Sequence, residues 1–406
     1  MKRTLVRWIP AIVAPVLIAG TAVGFSVSAN AAIDLPDKNA SQILQLMNTN
    51  PDIAFSGKVV KTAKLGLPPM NILPKVSDSM VEQATKNMPK EMADFIPKAS
   101  AQGQLALALE FLGGTHVANV YVDGAEHARI QVLDMLSERD FIRNGSDLWS
   151  YDAGKQSVQH GVINPADQAQ AEKEGTAFFN QYSSLLPFDA TSPAAVADYF
   201  LAQAGTDATF SVDKDVKIAG RGAYQITMAP KSADSLVQSV SVAIDAATGL
   251  PLSVVVRAVG QATPAFEVAF QSISFAKPDA SLFDFVVPAG ATVEEVVPTT
   301  KADLMKYAGA QGNEPAPSAA DQALAMAEIE KMRAAGWSAV LAIPADKVPA
   351  EFKSLITDNS LFAELTNPVT GGRVFSTALV NILFTDDGRI FAGAVNTQKL
   401  LKAAQG

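Results

Sequence analysis

The sequence predicts a mainly β fold of the α+β type, in which a curved antiparallel sheet is followed by a small C-terminal α+β unit. Between residues 53 and 275, short segments with alternating apolar and polar positions are separated by turn signals. This period of two is typical of β-strands. Beyond a proline-rich stretch at residues 288–317, one amphipathic helix pattern and one hairpin pattern indicate the smaller unit.

The last strand pattern of the sheet changes phase near residues 271–272. The apolar residues before this point share one phase and those after it share the other: Phe266, Val268 and Phe270, then Ile273 and Phe275. Because side chains alternate with a period of two along a strand, the change requires one extra residue, which is a β-bulge. A bulge bends a strand and therefore favours a curled sheet.

The other elements follow in order along the chain. A short amphipathic helix is predicted at residues 40–47, and Asn144-Gly145 predicts a tight hairpin turn of type I′. Strands of the sheet are predicted at residues 53–66, 105–111, 117–122, 128–133, 140–143, 210–218, 223–229, 237–244, 252–259 and 265–275. The C-terminal unit is predicted to contain a strand at 338–343, a hairpin of 373–385 with 389–395, and a helix at 399–404.

These assignments divide the chain into a signal peptide at 1–31, a main domain at 32–297, a linker at 298–317 and a small α+β domain at 318–406. The main domain contains a methionine-rich insertion at 70–103. Methionine fills irregular spaces and rearranges readily. The insertion is therefore predicted to be a lid over an apolar hollow, and a helical insertion packed on the sheet is the alternative. Its candidate lid residues are Met80, Met88, Met92 and Phe95.

Residues 1–31 have the three parts of a secretion signal. Lys2, Arg3 and Arg7 form a basic start, an uncharged and mostly apolar stretch follows, and Ala29-Asn30-Ala31 matches the pattern that a signal peptidase accepts. The mature chain is expected to be exported and soluble, in a periplasm-like or extracellular space. An uncleaved N-terminal membrane anchor is the alternative, because the apolar stretch approaches membrane-spanning length.

Composition excludes several classes of function. The chain is 48% hydrophobic and 18% charged, against about 25% charged in an average soluble domain. Its formal net charge of −9 repels phosphate, so nucleic acid is not expected as a partner. Because the chain has no cysteine, neither disulfides nor a thiol-bound metal can contribute to the exported protein.

The motifs of catalytic and metal sites do not occur in the sequence. His116, His127 and His160 are not spaced as metal ligands and are expected to face solvent. The serine-nucleophile pattern Gly-x-Ser-x-Gly is missing as well. We therefore expect no enzyme, no cofactor and no metal site. A hydrolase that uses a pair of carboxylates stays an alternative, since such a pair has no local signature.

Some predicted strands are apolar on both faces, such as residues 105–109 and 252–256. A strand with one face in water should carry more charge. Either helices cover both faces of the sheet, or the sheet wraps around a non-aqueous hollow. Burial of an acyl chain contributes about 0.8 kcal/mol per CH₂, so such a hollow needs no specific polar group to bind tightly.

Three segments of the sequence carry a resemblance to a known family. They are the helix pattern at 42–47 with the strand start at 55–60, the segment DFIRNGSDLWSY at 140–151, and the Asp-x-x-Thr-Gly-x-Pro pattern that begins at Asp245. Together they resemble the actinobacterial branch of the periplasmic lipoprotein carrier (LolA-like) superfamily. This superfamily also includes the periplasmic regulators (RseB/MucB-like) that restrain an anti-sigma-factor pathway. The resemblance covers residues 32–297 and implies a half-open antiparallel β-barrel with helices as a lid over a hydrophobic cavity.

The residues and the resemblance together predict an exported binding protein that holds a lipid or lipoprotein acyl chain for transport or sorting in the cell envelope. A lipid or an acylated lipoprotein is the expected partner. The candidate cavity lining comprises Phe55, Leu107, Leu109, Phe111, Leu148, Trp149, Val254, Val256, Phe266, Val268 and Phe270; ordinary core packing is the alternative for each. The alternative function is a lipid sensor that docks on a membrane-bound regulator or acceptor through the second domain.

Overall fold

A computed structural model describes residues 35–47, 52–66, 113–133, 138–163, 198, 201, 205–296, 335–348, 362 and 365–405. The predicted signal peptide and linker lie outside these residues. So does the predicted insertion at 70–103, with the candidate lid residues Met80, Met88, Met92 and Phe95. The same holds for the predicted strand at 105–111, with Leu107, Leu109 and Phe111.

The described part of the chain is mostly β. It contains helix α1 (Ala40–Leu46), helix α2 (Thr397–Gln405) and short 3-10 helices at Ala280–Leu282, Gly336–Ser338 and Ala345–Lys347. The strands are β1 (Phe55–Ala63), β2 (Gly114–Asp123), β3 (His127–Leu133), β4 (Glu138–Asn144), β5 (Asp147–Asp152), β6 (Ser157–Val162), β7 (Ala208–Val212), β8 (Val216–Ile218), β9 (Arg221–Pro230), β10 (Val237–Asp245), β11 (Pro251–Ala258), β12 (Phe266–Ser274), β13 (Thr292–Glu295), β14 (Leu341–Ile343), β15 (Thr366–Val369), β16 (Gly372–Ser376), β17 (Asn381–Thr385) and β18 (Ile390–Gly393).

One 13-stranded sheet dominates the molecule. Its order is β13-β6-β5-β4-β3-β2-β1-β12-β11-β10-β9-β7, with β8 also paired to β9. Neighbouring strands are antiparallel except β13 and β6, which are parallel. Within the described residues β13 and β7 end the order without pairing to each other, so the sheet is open and not a closed barrel. The predicted fold class, a mainly β fold with a half-open antiparallel sheet and a small C-terminal α+β unit, is confirmed, and the predicted helical lid lies outside the described residues.

The predicted bulge lies in β12. Lys58 pairs with Ser272 and the next residue, Val59, pairs with Phe270, so Gln271 is the extra residue. Beside the bulge, Gly57 of β1 lies directly against β12. A Cβ atom at this position would lie 2.5 Å from the Ser272 carbonyl oxygen, so only glycine fits here.

The predicted hairpin at Asn144-Gly145 forms, but its turn is shifted by one residue. Asn144 pairs with Asp147, so Gly145 and Ser146 are the two turn residues. Of these two, Gly145 alone has a positive φ, of 60°. A positive φ at only the first central position is typical of type II′, so the type I′ prediction was wrong.

Two segments predicted as single strands are each broken into two. The segment at 210–218 forms β7 and β8, which are separated by residues 213–215. In this connection the backbone N–H of Asp213 donates to the Gln225 carbonyl oxygen (2.9 Å), and the Asp213 carboxylate accepts a bond from the Gln225 side chain (2.8 Å). The segment at 373–385 forms β16 and β17. Between them the Thr377 hydroxyl oxygen accepts a bond from the Val380 backbone N–H (2.9 Å), which closes a turn that the alternation pattern does not reveal.

The C-terminal unit is a five-stranded sheet of order β14-β18-β17-β16-β15. Helix α2 covers it through the fully buried Leu400, which packs with Leu383 and Val374. Backbone bonds attach this unit to the main domain. Leu236 donates to the Ala394 carbonyl oxygen and Ala378 donates to that of Leu65, both at 2.8 Å.

Helix α1 covers one end of the large sheet. Asn39 and Gln42 form a reciprocal capping box at its start. The fully buried Ile43 then packs against Tyr224 and Ile244 of the sheet. The helix therefore buries its apolar face on β9 and β10.

The Asp-x-x-Thr-Gly-x-Pro segment forms the turn between β10 and β11, and the end of α1 packs against this turn. The buried Asp245 carboxylate accepts bonds from the Thr248 backbone N–H and hydroxyl, both at 2.8 Å, and pairs with Arg221. Burial would raise the pKa of Asp245, but the hydrogen bonds from Arg221 and Thr248 outweigh it and hold the pKa below its ordinary value. Gly249 has a φ of 76°, and a Cβ atom there would lie 1.9 Å from the Leu46 carbonyl oxygen of α1.

Replacement of Gly249 tests this placement of α1. Gly249→Ala combines a positive φ with a clash against α1. Gly124→Ala is the matched control, since Gly124 has a φ of 70° and no atom within 4 Å of the added Cβ. We expect Gly249→Ala to lower the free energy of unfolding by about 1–3 kcal/mol more than the control, the usual cost of overpacking. Equal losses in urea unfolding would contradict the close approach.

Candidate functional site

The two faces of the large sheet differ in chemistry. Directly paired residues of an antiparallel ladder project to the same face, so the register fixes which side chains share a face. We call the face to which Phe55, Val59 and Lys61 of β1 project the Phe55 face. The opposite one, to which Ser56 and Lys58 project, is the Ser56 face.

Four rows of paired residues cross the Phe55 face. From β5 to β1, the first row contains Leu148, Arg143, Ala128, Val122 and Phe55. The second runs from β5 to β12 through Ser150, Phe141, Ile130, Val120, Gly57 and Ile273, and the third through Asp152, Arg139, Val132, Ala118, Val59 and Phe270. The fourth crosses from β2 to β9 through His116, Lys61, Val268, Val254, Val242 and Ile226.

Most of the described lining candidates meet on this face. Phe55 and Val268 are buried, and the Phe55 and Phe270 rings meet edge to face with centroids 5.9 Å apart. Val254, Val256, Phe266 and Phe270 are half-buried. Leu148 is on the same face near its far end and is 36% exposed.

Trp149 lies on the opposite face. It pairs with Ile142 and His160, and its register leads through Arg129 and Tyr121 to Ser56. Because successive side chains of a strand point to opposite faces, Leu148 and Trp149 cannot line one hollow. The indole ring stacks on the His160 ring with centroids 3.8 Å apart, so we leave Trp149 out of the lining set.

Three elements pack at the margins of the Phe55 face. Helix α1 covers β9 and β10. Through Val216 and Ile218, the β8 strand joins the hydrophobic cluster that contains Phe55. At the other end of β1, Ala378 and Leu379 of the C-terminal unit pack beside Ala63. The face is thus bordered by the described chain at three places.

Lys61 is a residue of this face that the sequence reasoning missed. It lies among apolar neighbours, is 1% exposed, and its Nζ donates to the Gly113 carbonyl oxygen at 2.9 Å. Burial lowers the pKa of Lys61 to about 8. In the sequence, the position of Lys61 indicates its burial, because Lys61 has the same alternation phase as the apolar residues Phe55 and Val59.

His116 lies opposite Lys61 and corrects the expectation that the histidines face solvent. It is 4% exposed, and its Nε2 lies 2.6 Å from the Gly113 carbonyl oxygen. Since a carbonyl oxygen only accepts, this nitrogen carries the proton. Two nitrogen donors therefore converge on one backbone oxygen at this edge of the apolar face.

On the Ser56 face, the chain after β12 forms a strap across β3 to β6, defined here as residues 277–296. Phe283 is buried beside the His127 ring. The Leu282 carbonyl oxygen accepts a bond from Arg129 at 3.3 Å, and Phe285 packs against Trp149. This part of the Ser56 face is therefore covered by the protein itself.

The end of the strap is held by His160. Its Nδ1 lies 2.8 Å from a Glu295 carboxylate oxygen of β13, and its Nε2 lies 2.9 Å from an Asp147 carboxylate oxygen of β5. The ring is 14% exposed. The hydrogen bond with Asp147 is the largest of the influences that together raise the pKa of His160 above its ordinary value, and Glu295 adds to it. The imidazolium form thus bridges two carboxylates from different strands.

Other site types have little support in the described residues. No group of three or more His, Cys, Asp or Glu side chains there is placed to hold a metal ion. Two surface hollows of about 320 and 300 Å³ are lined largely by polar residues, and neither includes a predicted lining residue. None of the described helices has the length and apolar character needed to cross a membrane.

The His160 bridge predicts a pH-dependent stability. A folded-state pKa raised above the ordinary value of 6.5 contributes stability that is complete below that value and is lost as pH rises through the folded pKa. We expect the thermal midpoint of the wild type, relative to His160→Gln, to fall as pH rises above 6.5. His127→Gln is the control, since its ring packs on Phe283 and no described carboxylate bonds to it. A pH-independent difference between wild type and His160→Gln would contradict the bridge.

The chain is similar in fold to several solved structures, with low sequence identity to each. No family model matches the chain, and no curated protein matches it. It is similar to a crystal structure of MucB, with 14% identity, a TM-score of 0.31 and coverage of 63% of this chain and 64% of that one. It is also similar to the Pseudomonas aeruginosa MucA/MucB complex, with 12% identity, a TM-score of 0.37 and coverage of 90% and 96%.

A third similar structure is a LolA superfamily protein from Nitrosomonas europaea, with 10% identity, a TM-score of 0.21 and coverage of 61% of this chain and 99% of that one. With TM-scores below 0.5, these structures say nothing here about ligand or partner. The chain is thus similar to structures of MucB and of the LolA superfamily, the group that its sequence motifs resemble, and the actinobacterial branch stays a prediction.

Proposed function

We propose that the chain is an exported binding protein that holds a lipid or lipoprotein acyl chain against the Phe55 face, for transport or sorting in the cell envelope. One observation supports this most directly. Apart from His116 and Lys61, the rows of the Phe55 face are apolar from β2 to β10, yet Val254, Val256, Phe266 and Phe270 on it are only half-buried. Part of the apolar surface of this face is therefore accessible.

The energetics of this surface suit a hydrocarbon ligand. Each Å² of apolar surface removed from water contributes about 25 cal/mol to the binding free energy, and this contribution does not depend on a particular orientation of the contacting groups. An acyl chain laid along the rows would bury surface on β12, β11 and β10 together. The proposed lining is Phe55, Leu148, Val254, Val256, Phe266, Val268 and Phe270, with Leu107, Leu109 and Phe111, and the proposed lid is Met80, Met88, Met92 and Phe95.

Adjacent residues of β11 provide a sharp test. Val254 projects to the Phe55 face opposite Val268, whereas Val255 projects to the Ser56 face opposite Glu267, and both are half-buried. Val254→Gln places an amide in the proposed hydrocarbon site, and we expect it to weaken binding about tenfold. The measurement is fluorescence titration of the mature chain with a soluble, short-chain, labelled phosphatidylcholine.

Val255→Gln is the matched control and is expected to bind as the wild type does. Circular dichroism spectra establish that both variants are folded. Equal affinities of the two variants, or a wild type that binds no lipid, would contradict the proposed site.

A separate feature, the edge strand β14 of the C-terminal sheet, favours the alternative function, in which the chain docks on a membrane-bound regulator. Among the described strands, β14 pairs only with β18, and its Leu341 and Ala342 are exposed. An open strand edge can accept a strand from a partner. Binding of the purified chain to an anti-sigma-type periplasmic segment would favour this role, whereas transfer of lipid between vesicles would favour the carrier.

A further inference from the structure

We propose that the ligand is a lipid with an anionic head group, and that Arg143 contacts this head group at the β4 end of the Phe55 face. The inference rests on the proposed function, because it assumes an acyl chain on the same face. It adds the class of lipid and the direction in which the lipid lies.

The two faces differ in net formal charge over β1 to β6. On β1 to β6, the register places the charged residues Lys61, Arg139, Arg143 and Asp152 on the Phe55 face. This is a surplus of cations in a chain whose formal net charge is −9. On the Ser56 face these strands place four acidic residues, Asp123, Glu138, Asp140 and Asp147, and two cations, Lys58 and Arg129. The formal charge of these side chains is therefore net positive on the Phe55 face and net negative on the Ser56 face, which favours the Phe55 face for an anionic group.

Arg143 is positioned to receive such a group. Its Nε donates to the Gly145 carbonyl oxygen at 3.2 Å, which ties the side chain to the hairpin turn. No described carboxylate forms an ion pair with it. Its two Nη groups are therefore available for a phosphate or carboxylate, whose geometry the guanidinium fork matches. Arg139 is less suited, because it lies directly opposite Asp152.

The surroundings of Arg143 are those of an interface between water and hydrocarbon. Leu148 lies opposite it and Phe141 two residues away on the same face, and these are 36% and 41% exposed. In the other direction its row passes Ala128 and Val122 to the buried Phe55. The row crosses three strand spacings, or about 14 Å. A head group at Arg143 therefore places the first part of its chain on an increasingly buried apolar floor.

The test compares two soluble, short-chain, labelled lipids with the same acyl chains, phosphatidylglycerol and phosphatidylcholine. We expect the wild-type mature chain to bind the anionic lipid about tenfold more tightly, as charge-assisted hydrogen bonds imply. Arg143→Gln should abolish this preference while phosphatidylcholine still binds, and Arg143→Lys should retain most of it. The charge-matched control is Arg257→Gln, an exposed arginine on the Ser56 face of β11.

Each outcome is decisive. A wild type that binds both lipids equally overturns the inference and leaves the proposed function standing, as does an equal loss of preference in Arg143→Gln and Arg257→Gln. A wild type that binds neither lipid overturns the proposed function itself. If Arg143→Gln does not fold, the wild-type preference is measured against salt: loss at high salt supports the head-group contact, and a salt-independent preference contradicts it.

Discussion

The pairing of β1 with β12 holds the two halves of the large sheet together. Strands β2 to β6 follow β1 on one side and strands β11 to β9 follow β12 on the other, so the rows of the Phe55 face that reach both halves pass through this ladder. The bulge at Gln271 and the close approach at Gly57 lie within it. A shift of one residue in this register would exchange the apolar and polar faces of one half relative to the other.

This constraint gives the molecule its two unlike faces. The Ser56 face carries polar networks and is closed over β3 to β6 by the chain's own strap, with His160 between the carboxylates of Asp147 and Glu295. The Phe55 face is mostly apolar, with Arg139 and Arg143 on β4 and the buried Lys61 on β1. Because the strap already covers the Ser56 face over β3 to β6, a ligand has more to contribute on the Phe55 face, and the ligand that we propose there is an apolar chain with an anionic end.

One of the three segments that resemble the LolA-like superfamily, the Asp-x-x-Thr-Gly-x-Pro motif, has a structural role in this arrangement. Asp245 closes the turn between β10 and β11, and Gly249 leaves room for the end of α1. This motif therefore fixes a helix on the sheet, whereas Arg143 belongs to another of the three segments, DFIRNGSDLWSY. The chemistry of the ligand depends on the side chains of the Phe55 face, and each strand contributes its own residues to that face.

The sequence predicted those features that depend on local pattern. The alternation of Phe266, Val268 and Phe270 and the phase change after them predicted both the strand and its bulge. Features that depend on pairing could not be read in this way: Leu148 and Trp149 were grouped as apolar neighbours, although their strand separates them onto opposite faces. For the same reason Lys61 was missed and His116 was wrongly expected to face solvent, because the role of a polar residue in an apolar phase becomes clear only when its neighbours across the sheet are known.

The proposal that a lipid completes the apolar Phe55 face is tested by mass spectrometry of an organic extract of the mature chain, purified in folded form from its native host. We expect a stoichiometric amount of lipid, enriched in species with an anionic head group relative to the membranes of the same cells. A folded protein whose extract contains no lipid would contradict it.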